Sequence, residues 1–366
     1  MGTLRLLLAL SVVLFHSGPF WLTGTHFVGG VLAVESFFVI SGFYMALVLG
    51  ERYRGRLGAF YWNRFARLFP LYWAVWLLYF LAGEIEPSID RFAALAASDP
   101  SPGTVALVLI ANWLLIGSDW LLLLSSGSEG LYFTGNFLAE PVWLFKFHYV
   151  PQAWSLPIEL AFYAIAPFLV HSPRRLLALA MASFAAKYAT LAQLGPVDPW
   201  YYRFAPFELW LFCLGALAWH GMQRFDTGSL VRWRWPVLLA MVLAILGFEW
   251  LGDAPLHSIT SPGYAAFLVA LCIALPVLFR AFGDSRWDRQ LGELSYPIYL
   301  SHLLVVGVVV HFGLRIGDDA SGLIVIGSLL AGGVLAFWVA RPLERALRRT
   351  ARHDPGASRS AEEERR

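Results

Sequence analysis

The chain has 366 residues, of which 58% are apolar and only 14% charged, with a formal net charge of +2 and a mean hydropathy of +0.61. These proportions exclude an ordinary soluble domain and a basic nucleic-acid-binding protein, and they define an all-α polytopic membrane protein. Cys213 and Cys272 are the only cysteines, and both lie in apolar runs. Neither a disulfide framework nor a zinc site is therefore expected, and no metal is assigned.

The first apolar stretch, Leu4 to Leu22, is too long and too closely followed by another to be a cleaved signal peptide. It carries Arg5 and His16, eleven residues apart. At ~100° per residue that step returns a helix to within ~20° of its starting direction, and at 1.5 Å per residue it climbs ~16 Å. The two side chains share one face. An arginine at the membrane edge can bind phosphate, while a histidine deep in the bilayer can do proton chemistry.

The second apolar segment, 29 to 50, carries Glu35 at about the depth of His16. A carboxylate beside a histidine fixes its tautomer and raises its basicity, as a general base requires; a helix-pairing ion pair is the competing reading. Further along, Ser41 and Gly42 present a small surface where a backbone or a slender ligand can approach closely. Arg64 and Arg67 follow, three apart and hence neighbours on one helical face. With Arg5 they form an expected cationic mouth for a polyanionic cofactor, although inner loops of membrane proteins are arginine-rich for topological reasons alone.

Eight more apolar segments fall at 68 to 83, 155 to 170, 176 to 193, 205 to 222, 236 to 251, 262 to 282, 294 to 314 and 321 to 340, making about ten spans. The stretch 104 to 124 is an eleventh candidate. If it does not cross, every Lys and Arg except Arg91, Lys146, Lys187, Arg203 and Arg315 lies on one side, as the positive-inside rule requires. It is therefore expected to be re-entrant or interfacial, with both termini cytoplasmic in a cell (inner) membrane. The region from Gly83 to Trp154 then becomes one large outer excursion, long enough to serve as a lid. The membrane domain is expected over 1–350, and 351–366 reads as a disordered tail of low apolar content.

At the start of the fourth span, Trp154 is an interface anchor, and Glu159 and Tyr163, one turn apart, point the same way. Ser155 and Glu159 also fit a helix-capping pattern, and Lys187 and Glu208 are positioned to pair with each other. In the ninth span Ser295 and His302 share a face, with His302 about midway across.

The order of these features is more specific than any one of them. Arg5 with His16, SFFVISGF at 36 to 43, RFAR followed by LFP at 64 to 70, WSLPIELAFY at 154 to 163, SYPIYLSH at 295 to 302 and RPLERALRR at 341 to 349 together resemble the acyltransferase-3 family of integral membrane O-acyltransferases. The resemblance implies a ten-helix fold that moves an acyl group, commonly acetyl from acetyl-CoA, to a hydroxyl of a glycan, lipid-linked sugar or similar acceptor. It makes His16 the catalytic residue, Arg5 a donor-site residue, and Arg64 and Arg67 the inner-edge arginines. Trp154, Ser155, Glu159, Tyr163 and His302 form the expected substrate-side set. Glu35 stands where the family usually has aspartate, and the soluble esterase-like domain of some members is absent. The rival reading is a transporter or flippase with His16, Glu35, Lys187 and Glu208 along a polar pathway.

Overall fold

The computed structural model describes residues 1–83, 90–127, 130–225, 228–251, 261–314 and 320–350. The expected tail at 351–366, the acidic residues Glu84 and Glu86, and Arg315 lie outside the described residues. Among the described residues the regular structure is helical apart from one short hairpin.

In chain order the helices are α1 (Gly2–Ser17), α2 (Gly30–Glu51), α3 (Leu57–Gly83), α4 (Arg91–Ala96) and α5 (Pro102–Leu114). The hairpin of β1 (Leu124–Gly127) and β2 (Gly130–Phe133) follows. Then come α6 (Ser155–Leu169), α7 (Pro173–Leu194), α8 (Ala205–Arg224), α9 (Arg234–Leu246), α10 (Pro262–Phe282) and α11 (Arg286–His311). The last are α12 (Ser321–Val334), a π-helical stretch Leu335–Ala340, and α13 (Arg341–Thr350). Among the described residues, seven helical segments are long and apolar enough to cross a membrane. Together with the shorter or more polar α1, α6 and α8, they account for the ten apolar segments expected from sequence.

The 104 to 124 stretch departs from spanning geometry. Its helix α5 has 13 residues, which gives a rise of ~20 Å against a hydrocarbon core of ~30 Å. A left-handed Leu115 (φ 60°) ends it. The helix docks on α3 instead, with Tyr72 donating to the Asn112 carbonyl at 2.6 Å and Trp73 donating to the Trp113 carbonyl at 2.8 Å. The Asn112 side chain then donates to the Phe147 carbonyl and accepts from the Tyr149 backbone N–H, each about 3 Å away (3.1 and 2.9 Å). The excursion is thus a folded cap with a buried apolar interior that includes Phe137, Leu144 and Phe147. Within it His148 is fully buried, and burial pushes its imidazole down to about 4, so it is neutral.

Helix packing is set by backbone contacts at glycine. A Cβ on Gly42 would sit 1.9 Å from the Phe212 carbonyl oxygen, and one on Gly215 would sit 1.8 Å from that of Val39. Helices α2 and α8 therefore touch backbone to backbone, as small residues permit within a membrane. The α1 and α11 pair is built the same way. Gly2 lies against Asp288 and Gly292, where an added Cβ would fall 1.5 Å from the Asp288 carbonyl oxygen. The Asp288 carboxylate accepts from the Gly2 N–H (2.8 Å), the Thr3 N–H (3.0 Å) and the Thr3 hydroxyl (3.2 Å). That satisfies orphan donors at the start of α1 and places a negative charge at the positive end of its dipole.

Two outcomes test this architecture. Gly42→Val should destabilise the detergent-purified protein by roughly 1–3 kcal/mol through overpacking, read as a lower thermal midpoint; an unchanged midpoint would refute the α2 and α8 contact. In a background with Cys213 and Cys272 replaced by Ala, Ala97→Cys and Leu131→Cys should react with an impermeant thiol reagent from the same side of sealed vesicles. Labelling from opposite sides would make α5 a crossing helix.

Candidate active site

The α1 and α11 clamp determines where the histidines meet. From Gly2 to His16 and from Asp288 to His302 are both steps of fourteen residues. Two helices running the same way with their starts pinned together rise equally, ~21 Å, and bring the two imidazoles to one level. The ring centroids are 5.1 Å apart, with His302 Nε2 3.3 Å from His16 Nδ1.

The hydrogen bonds assign the tautomers. His302 Nδ1 lies 2.7 Å from the Tyr299 carbonyl, so it carries the proton and Nε2 is an acceptor. His16 Nδ1 faces two acceptors, the Val12 carbonyl at 2.9 Å and His302 Nε2, so it too carries a proton. The lone pair of His16 is thereby left on Nε2. His16 is exposed on the wall of a partly open cavity, whose lining also includes Phe15, Val34, Gln152, Trp154, Arg203 and Tyr299. His302 is fully buried behind it.

This arrangement corrects the expectation for Glu35. Its carboxylate lies 3.1 Å from Lys187 Nζ and accepts from the Tyr264 hydroxyl at 2.8 Å, while Lys187 also donates to Glu208 at 2.7 Å. These three charged groups are almost wholly buried, at 2%, 0% and 0% exposure for Glu35, Lys187 and Glu208. A carboxylate at that depth needs a cation, and Lys187 supplies one for both acids. Glu35 is at the right depth but the wrong azimuth, and His302 occupies the place foreseen for it. Gly42, seven residues on from Glu35, faces the same way; its closeness serves α8 packing and not a ligand. The anticipated pairing of Lys187 with Glu208 is present.

Ser41 is one residue round the helix from Gly42 and points elsewhere. Its hydroxyl donates to Glu159 at 2.7 Å, and Glu159 also accepts from Tyr163. Glu159 and Tyr163 therefore share a face as expected, but they look toward the arginines and away from the His16 cavity. Arg64 has its guanidinium 5.9 Å from the Tyr163 ring centroid, donates to Asn63 at 2.8 Å, and keeps a buried Nε with no hydrogen-bond partner among the described residues. Arg5 interacts electrostatically with Arg67, Glu159 and Tyr163, and Arg64 with Arg67 and Glu159. The structure thus gathers Arg5, Ser41, Arg64, Arg67, Glu159 and Tyr163 at one end of the bundle. Among the described residues, Glu159 is the carboxylate that acts on Arg5 and Arg64 there.

Helix α6 connects the two ends. Trp154 lines the His16 cavity, Ser155 hydrogen-bonds the Tyr299 hydroxyl at 2.8 Å, and Glu159 and Tyr163 lie one and two turns further down. The capping expected of Ser155 is not made, because its hydroxyl is committed to Tyr299. Trp154, Ser155 and His302 accordingly belong to the His16 end, and Glu159 and Tyr163 to the arginine end.

Sequence reading missed a second group at the cavity. In the turn before α8, Arg203 lies 3.3 Å from Asp198, donates to the Tyr202 hydroxyl at 2.6 Å, and sits 5.2 Å from the Trp154 ring centroid. Burial raises the Asp198 carboxyl above its ordinary value, and the Arg203 charge opposes that rise. The available signal was the run VDPWYYRF at 197–204, which sets an acid and a base among aromatics on the side where cations are scarce. Among the described residues no cluster of three His, Cys, Asp or Glu side chains is placed to hold a metal.

A polytopic helical bundle with a histidine-walled cavity at one level and clustered arginines at another has the layout of a membrane-embedded transferase. The chain belongs to the acyltransferase-3 family: the family model described as an acyltransferase domain matches residues 2–343. It is an O-acyltransferase of the membrane. It is 25% identical over 368 residues to the exopolysaccharide production protein ExoZ of Rhizobium meliloti (strain 1021), covering 93% of this chain and 96% of that one. A candidate membrane-bound transacylase of Komagataeibacter xylinus, BcsY, is 28% identical over 302 residues, covering 80% and 68% of the two chains. A candidate O-acetyltransferase of Staphylococcus aureus (strain COL) is 24% identical over 317 residues, which cover 84% of this chain but only 44% of that relative. No solved structure matches.

The buried ion cluster has a testable consequence. Lys187→Met leaves two carboxylates in an apolar interior and should cost roughly 3–5 kcal/mol, seen as loss of monodisperse folded protein. A thermal midpoint within about 2 °C of the parent, less than ~1 kcal/mol shifts it, would show that the cluster does not hold α2, α7 and α8 together.

Proposed function

We propose that the protein transfers an acyl group, acetyl by preference, from cytoplasmic acyl-CoA to a hydroxyl of a carbohydrate acceptor, with His16 as the general base. One observation carries this reading: the His16 lone pair is directed by His302 at a cavity, on the same helix as an arginine that interacts electrostatically with the other arginines of a cationic cluster. The ~16 Å between Arg5 and His16 suits a donor whose phosphates bind at one end and whose thioester reacts at the other. The phosphates lie among Arg5, Arg64 and Arg67, and the pantetheine arm follows the Ser41, Glu159 and Ser155 line. By the positive-inside rule the arginine end is cytoplasmic, both termini lie on that side, and the acceptor enters from the opposite side beneath the 84–154 cap.

In the reaction, His16 Nε2 takes the acceptor hydroxyl proton as that oxygen attacks the thioester carbon. His302 acts as a positioning residue, since its Nε2 accepts from His16 Nδ1 and stabilises the imidazolium that forms. The name of ExoZ supports a polysaccharide acceptor. The transporter reading draws less support, because Glu35, Lys187 and Glu208 are bound to one another in a cluster apart from His16.

With protein in nanodiscs, acetyl-CoA and candidate oligosaccharides, free thiol release measures turnover. His16→Ala should lower it by about 10²- to 10⁴-fold in a folded protein. Arg5→Ala should raise the acetyl-CoA KM at least tenfold, as about one charge-assisted contact predicts, with the acceptor KM unchanged. His302→Ala should lower kcat and displace its pH profile while leaving donor binding intact. Near-parental turnover by His16→Ala would remove the histidine from the mechanism, and acceptor movement without CoA release would favour the transporter.

A further inference from the structure

The walls that α1 and α2 give the cavity are apolar apart from His16, so any charge that develops beside His16 depends on donors from elsewhere. Four other lining residues carry polar side-chain atoms, besides the Trp154 indole: Gln152, Tyr202, Arg203 and Tyr299. Three of them are committed. Gln152 donates to the Leu300 carbonyl and to Tyr79, Tyr299 is held between Ser155 and the Gln152 carbonyl, and Tyr202 accepts from Arg203. The Trp154 N–H has no partner among the described residues but is uncharged.

Arg203 is different. One terminal nitrogen, Nη2, serves Tyr202, and Nε approaches Asp198 at 3.3 Å without hydrogen-bond geometry. Nη1 has no partner among the described residues. The guanidinium is fixed by rings on several sides, with the centroids of Tyr202 and Trp154 at 4.9 and 5.2 Å and Phe145 at 5.9 Å. It acts electrostatically on His16. A rigid cation with a spare N–H pair, on the same cavity wall as the base, is arranged for charge that appears only during reaction.

We propose that Arg203 is a further catalytic residue, donating through Nη1 to the oxyanion of the tetrahedral intermediate, with Asp198 and Tyr202 as its positioning residues. The inference rests on His16 as the base. As the acceptor oxygen bonds to the thioester carbon, its proton goes to His16 Nε2 and the carbonyl π pair moves onto oxygen, where Arg203 receives it. On collapse that pair re-forms the carbonyl, the C–S bond breaks, and the His16 proton passes to the departing thiolate. Asp198, 3.3 Å from Nε, offsets part of the resting charge of Arg203 and leaves the terminal Nη1 donors available.

The test is steady-state kinetics in nanodiscs on Arg203→Gln, Arg203→Ala, Arg203→Lys and His16→Ala in parallel. Arg203→Gln should lower kcat by about 10²-fold, as loss of one oxyanion donor does, with both KM values within about threefold of the parent. Arg203→Lys should recover part of that loss. Added ethylguanidinium at millimolar concentration should raise kcat of Arg203→Ala at least fivefold and leave the parent unaffected, which a packing role for Arg203 would not produce. If Arg203→Gln keeps kcat within threefold while His16→Ala is inactive, the oxyanion role is wrong and the base stands. If Arg203→Gln changes only the acceptor KM, Arg203 is an acceptor contact and the proposal fails. Should His16→Ala remain active, both assignments fall.

Discussion

The site depends on Asp288 holding the start of α1. Two backbone N–H groups and one hydroxyl of α1 converge on that carboxylate, and two glycines let the helices touch there. With the origin fixed and the helices parallel, the common rise of 1.5 Å per residue determines everything above it. His16 meets His302 because their distances from the clamp are equal, and Arg5 lies beside Gly292 because it is one turn up from Gly2. A slip of one turn would move His16 ~5.4 Å along its partner and separate the pair.

Polar groups within the bundle are organised by the cost of leaving any of them alone in an apolar medium. Three separate solutions result. Lys187 bridges Glu35 and Glu208, with the Tyr264 hydroxyl as a further donor to Glu35, and this ties α2, α7 and α8 together. Glu159 faces the arginines with Ser41 and Tyr163, which gives the cationic end a single internal counterion. The histidines pair with each other and with backbone carbonyls, an arrangement that turns the His16 Nε2 toward the cavity. At the cavity and at the arginine end, Arg203 and Arg64 each keep a buried guanidinium nitrogen without a hydrogen-bond partner among the described residues.

Helix α2 separates structural from chemical roles by azimuth. Val34 and Ser41, seven residues apart, face the cavity and α6. Glu35 and Gly42, each one residue further, face the ion cluster and α8. A helical step of ~100° is enough to send neighbouring residues into different chemistry. The folded cap above contributes through its last turn, where Gln152 and Trp154 enter the cavity wall, and through Phe145 against Arg203.

Much was decided by the sequence alone. Apolar run length determined the helical class and the ten segments, because a bilayer sets how many residues a crossing needs. Helical periodicity placed Arg5 with His16, and Glu159 with Tyr163, since those relations lie within single helices whose geometry is invariant. Depth along a helix was legible in the same way, which is why Glu35 was put at the right level. Rotation of one helix against another was not, for it depends on glycine contacts between distant segments such as Gly42 with Phe212 and Gly2 with Asp288. Only the tertiary structure could therefore give Glu35 to Lys187, hand its place beside His16 to His302, and bring Arg203 from a short turn to the base it faces.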